Sequence, residues 1–118
     1  MKKHFIVAVL SIGIIVSCTK STENSNSNDN NNNMNCTGTK SFASDVSPII
    51  QNVCAVSGCH NTGSTNGPGP LTSYQQVSNS KTSIRSAIIS GIMPKNGTLS
   101  ADQKNAIICW IDQGANNN

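Results

Sequence analysis

The sequence predicts a small all-α domain of three or more short helices with long loops. Three observations carry that expectation. Val46, Ile49, Ile50, Val53 and Cys54 follow the i, i+3, i+4, i+7, i+8 spacing of one helical face. Ser100 and Gln103 form a capping pair ahead of the apolar residues Ile107, Ile108, Trp110 and Ile111. The Gly-, Pro-, Asn- and Thr-rich loop between the first two helices, Asn61 to Leu71, shows no strand pattern. Of 118 residues, 17 are Asn and 17 are Ser; only 11% are charged and 3% aromatic. An ordinary domain carries about 25% charge, so this composition leaves room for one small core. From position 18 onward six Lys or Arg face five Asp or Glu, which excludes a strongly basic nucleic-acid binder.

Residues 1–17 read as a leader. Lys2 and Lys3 precede an apolar run, Phe5 to Val16, that is too short to span a bilayer comfortably. The run closes on Val16-Ser17-Cys18, which resembles the lipobox of bacterial lipoproteins. That resemblance implies cleavage before Cys18, a lipid on its sulfur, and export to the periplasm or cell surface. An ordinary or uncleaved leader is the alternative, and each of these outcomes places the domain where disulfides persist. Thr19 follows Cys18 in place of the Asp linked to inner-membrane retention, which favours the outer membrane. Residues 18–35 are rich in Ser and Asn with almost no apolar residue and cannot offset their ordering entropy, so they read as a disordered tether. Residues 36–118 form the domain.

The first helix begins at an N-cap of Ser44 or Asp45, with Pro48 tolerated in its first turn. A loop rich in Gly, Pro, Asn and Thr follows, Asn61 to Leu71. Ile84, Ala87 and Ile88 mark a second helix after Asn79 or Ser80, stopped at Gly91; the third runs from Ser100 to Gly114. Three short helices with so few aromatics make a thin core, and a domain of this size needs a staple or a bound group.

The string Cys54-Ala55-Val56-Ser57-Gly58-Cys59-His60 suggests the group. In the C-x-x-C-H haem-attachment signature two thiols join the haem edge and the next His reaches the iron. Here four residues part the cysteines, and the added pair can loop out at Gly58 while Cys59-His60 keeps its geometry. Together with Gly67-Pro68-Gly69-Pro70-Leu71, Gly91-Ile92-Met93-Pro94 and the closing Trp110-Ile111-Asp112-Gln113-Gly114-Ala115, this string resembles small single-haem class I cytochrome c domains. The match is to the lipoprotein-anchored type and covers residues 45–115. The resemblance implies one covalent haem c on Cys54 and Cys59, with His60 and Met93 as iron ligands. It also implies a proline carbonyl on the second ring nitrogen of His60, Pro70 being favoured over Pro68. Leu71 and Trp110 would neighbour the haem, and the first and last helices would pack together. A disulfide between Cys36 and Cys109, the pair left by parity, would then be within reach.

Other readings of the same residues stand beside this one. Cys54 and Cys59 can pair as a disulfide, and Cys54, Cys59, His60 and Cys109 have the ligand types of a zinc site. Met93 can be core packing, and His60 a surface residue. Among iron ligands, Met1 and Met34 lie outside the domain, and Lys81 or Lys95 would have to deprotonate far below a lysine's ordinary pKa. Apart from His4 in the leader, His60 is the sole histidine, and no acidic pair stands beside a nucleophile, so no catalytic constellation is visible. The expected function is single-electron transfer between redox partners by a membrane-tethered carrier, not an enzyme. The alternatives are a disulfide-stapled interaction module without haem, and a haem sensor or enzyme with an open sixth iron position.

Overall fold

A computed structural model describes residues 34–118, and these fold as helices and loops with no strand among the described residues. The leader, the tether up to residue 33 and Cys18 lie outside the described residues. Met34, assigned to the tether by composition, packs against the core, so the ordered part already includes it.

The first helical stretch, α1 (42–54), is wound unevenly. Wide π-type turns over Phe42–Val46 and Ile50–Cys54 flank an α-helical piece, Ser47–Ile49. It starts earlier than the sequence implied, because the cap is Ser41 instead of Ser44 or Asp45. The Ser41 hydroxyl accepts from the Ser44 N–H at 3.2 Å, and the Asp45 carboxylate accepts from the Ser41 N–H at 2.7 Å. Asp45 is thus the far half of a reciprocal cap, and Phe42 is drawn into the core. Two more first-turn donors are met from the far end of the chain. The Phe42 N–H donates to the Asn118 side-chain carbonyl, and the Ala43 N–H to the Asn118 backbone carbonyl, both at 2.9 Å.

A short helix, α2 (Tyr74–Asn79), was not expected. Its capping box, Ser73 with Gln76, is complete. It runs through Ser80 into α3 (Lys81–Ile89), which buries Ile84 and Ile88 and ends before Gly91, whose φ is +73°. The last helix, α4 (Ala101–Asp112), carries the capping box read from Ser100 and Gln103. Ile107, Ile108, Cys109 and Trp110 are all buried, so this turn of α4 is covered on every side. A helix with one core-facing stripe does not do that. The segment before α1 supplies the second cover: Cys36 is disulfide-bonded to Cys109, and the Gln113 amide pairs with the Lys40 N–H and the Gly38 carbonyl.

Phe42, Tyr74 and Trp110 meet between α1, α2 and α4 with ring centroids 5.1–6.4 Å apart. Arg85 and Asp112 join α3 to α4 through two parallel bonds of 2.7 and 3.0 Å at the surface. No helix among the described residues is long and apolar enough to cross a membrane.

Candidate functional site

On the far side of this core, a cavity of about 630 Å³ opens between the end of α1, the loop that follows it, α3 and the loop before α4. That volume lies within the roughly 300–1,000 Å³ of cofactor and ligand pockets. Cys54, Cys59, His60 and Met93 all line it, from two segments more than thirty residues apart in sequence. Leu71, Ile84, Ile88 and Leu99 are buried and make its apolar wall. Lys95 is the one charged residue of the lining.

The segment after α1 leaves the helix at once. The last wide turn ends where the Ala55 N–H donates to the Ile50 carbonyl at 2.8 Å. The inserted residues then form their own turn, the Cys59 N–H donating to the Val56 carbonyl at 3.0 Å, with Gly58 at φ +78°. The His60 N–H returns to the Cys54 carbonyl at 3.0 Å. The four-residue spacing is therefore absorbed in a closed loop that brings Cys59-His60 back beside Cys54. Both thiols are free and half-buried. Burial pushes the Cys54 thiol up from its ordinary pKa, and the neighbouring Cys59 adds to the effect.

His60 is only 6% exposed. Its Nδ1 lies 2.9 Å from the Gly69 carbonyl, and no hydrogen bond engages Nε2 among the described residues. A tautomer protonated on Nδ1 leaves the Nε2 lone pair for a ligand in the cavity. This corrects the proline assignment: the acceptor is Gly69, between the two candidates. The Leu71 N–H donates to the His60 carbonyl at 2.9 Å, so residues 69 and 71 both address His60. The turn closed by the Gly69 N–H on the Asn66 carbonyl, with Gly69 at φ +88°, turns the Gly69 carbonyl toward the ring. Pro68 lines the cavity and Pro70 does not.

Trp110 needs a second correction. It does not line the cavity; it belongs to the aromatic cluster, and its indole N–H donates to the Asn116 carbonyl at 2.8 Å. The buried ring needs a partner for its polar tip, and the C-terminal segment provides one away from the cavity. Met93 lines the cavity from a loop beyond α3, its N–H donating to the Ala87 carbonyl at 3.1 Å. Among the described residues, no group of three or more His, Cys, Asp or Glu side chains is gathered to hold a metal ion, and Cys109 is committed to its disulfide. The zinc arrangement is not assembled.

Asn66 and Gly67 were not singled out from sequence, although both belong to the site. An added Cβ at Gly67 would lie 3.4 Å from Cε1 of His60, so this backbone passes directly against the imidazole. The signal was the Asn-Gly dipeptide inside the loop, which marks a turn without saying what it packs on. Comparison with protein-family models finds no match, and none is found among curated proteins or solved structures.

Proposed function

We propose that the protein is a monohaem c-type cytochrome that passes single electrons between redox partners outside the cytoplasm, tethered to a membrane by lipid on Cys18. The observation that supports this most is the convergence of Cys54, Cys59, His60 and Met93 on one apolar cavity. The donor set suits haem c: two free thiols for thioether bonds, a buried imidazole with one nitrogen tied and the other available, and a thioether on a separate loop. When bound, the haem supplies the one-electron iron couple. The chain's own residues do the rest. Gly69 fixes the tautomer and plane of His60. Met93 offers a neutral sulfur, which favours ferrous iron and raises the potential. Leu71, Ile84, Ile88 and Leu99 exclude water from the inner wall. Apart from His60, the lining carries no His, Asp or Glu that would serve as acid or base. The Cys36–Cys109 disulfide agrees with an exported protein.

Intact mass and a pyridine haemochrome spectrum of protein made in a host with haem-attachment machinery test this reading. The expected product starts at a lipidated Cys18 and keeps one haem through extraction with acidified acetone. Complete extraction of the haem, or a colourless protein, would overturn the reading. A colourless but folded and disulfide-bonded product favours the interaction module. Rapid carbon monoxide binding to the reduced wild type favours a sensor or enzyme with an open iron position.

A further inference from the structure

We infer that Asn66 is the positioning residue of the proximal imidazole, its side-chain amide locking the long Cys54–Cys59 loop so that His60 is held in one orientation. The inference rests on the cytochrome reading and adds a residue to it. Four residues between the thiols carry the backbone out of helical pairing, so its carbonyls need other donors. Among the described residues, the carbonyls of Gly58 and Cys59 receive no backbone N–H. The Asn66 Nδ2 donates to both, at 3.0 and 3.1 Å. The Ser64 hydroxyl also donates to the Cys59 carbonyl, and accepts from the Asn66 N–H at 3.2 Å.

The Cys59 carbonyl belongs to the peptide that joins Cys59 to His60. Holding it prevents that peptide from rotating, and such rotation would tilt the imidazole. Asn66 acts on the other side of the ring as well. Its backbone carbonyl accepts from the Gly69 N–H at 2.9 Å, closing the turn that presents the Gly69 carbonyl to Nδ1. Gly67, inside that turn, passes against Cε1. One residue therefore fixes the peptide before His60 and the acceptor of its ring. Asn66 is exposed, and core packing does not explain it.

The test compares Asn66→Ala, which removes both donors without adding charge, with Asn66→Gln, which keeps an amide. The readouts are the reduction potential and the hyperfine-shifted proton resonances of the ferric protein, which report the plane of the imidazole at the iron. Asn66→Ala is expected to keep its covalent haem, shift both readouts, and be returned toward wild type by Asn66→Gln. A purely structural role would lower the melting temperature and leave both unchanged. Wild-type resonances and potential in Asn66→Ala overturn the proposal. If that variant fails to fold or attach haem, Asn66→Ser, polar but too short to reach both carbonyls, removes the amide donors in its place. It should shift both readouts in the same sense as Asn66→Ala, and wild-type readouts there are equally fatal. Wild-type protein without haem refutes the cytochrome reading itself, a separate outcome.

Discussion

Reducing the Cys36–Cys109 disulfide should cost a third or more of the domain's margin of stability. The bonded residues are 73 apart in sequence. In the chain-entropy model a loop of that length removes about 15 cal/mol/K from the unfolded ensemble, or about 4.4 kcal/mol at 25 °C. A folded region of some eighty residues is stable by only about 4–12 kcal/mol. The folded state itself should change little on reduction. Gln113 still holds Gly38 and Lys40, and Asn118 still holds Phe42 and Ala43. The effect is then a gain of freedom by the unfolded chain. Urea unfolding of oxidised and reduced wild-type protein, matched for haem content, measures it. The expected fall of about 4 kcal/mol corresponds to a melting temperature lower by about 15–35 °C. A difference under about 1 kcal/mol would refute the reasoning, because it would mean that the unfolded chain is held by something other than this bond.

Three further outcomes follow from the site. Met93→Ala should lower the reduction potential, abolish the long-wavelength band of iron–thioether bonding and open the reduced iron to carbon monoxide; an unchanged spectrum and potential would remove Met93 from the iron. Gly67→Ala forces a side chain onto a backbone with φ +52° and presses Cβ toward His60, so about 1–2 kcal/mol of stability should be lost in thermal or urea melts; no loss would show that the loop simply yields. In protein made without haem, the Cys54 thiol, raised by burial and by Cys59, carries less thiolate at neutral pH than a free cysteine. Its alkylation should be slower than that of free cysteine and continue to accelerate with pH above about 8.5, the range in which a free thiol levels off; peptide mapping at several pH values would reveal a free-cysteine rate if the reasoning fails.

What could be read from sequence was local. Ser100 and Gln103 are three residues apart, and their mutual capping needs nothing from elsewhere in the chain. Gly91 and the spacing of Ile84 and Ile88 likewise marked α3 without tertiary help. The cysteine pair 36 and 109 was accessible through parity, and the cavity residues through a short string and the Met93-Pro94 loop. The misses were long-range or too short for a period. α2 has six residues and a single fully buried side chain, Val77, so only its Ser73–Gln76 cap announced it. The true start of α1 depends on Ser41 and on Asn118, 77 positions away. Whether Gly69 or Pro70 addresses His60 depends on the turn from Asn66 and the positive φ of Gly69, which composition does not encode.

Aromatic scarcity suggested a thin core, yet position matters more than number. All three aromatics among the described residues converge in one cluster, where each pair adds about 0.5–1.5 kcal/mol beyond the area it buries. The disulfide and the Gln113 and Asn118 clasps fall in the same region, joining the first and last elements. Stability is thus concentrated where α1 meets α4, and the cavity is built on the other side from the end of α1, α3 and two loops. Of the apolar side chains in those loops only Leu71 and Leu99 are buried, so burial alone does not hold them to the accuracy a ligand set requires. In the loop after α1, side-chain-to-backbone bonds from Ser64 and Asn66 do that instead. The abundance of Asn and Ser, which reads as disorder in the tether, is in this loop the material of the site, because short polar side chains pair with carbonyls that no helix or sheet satisfies.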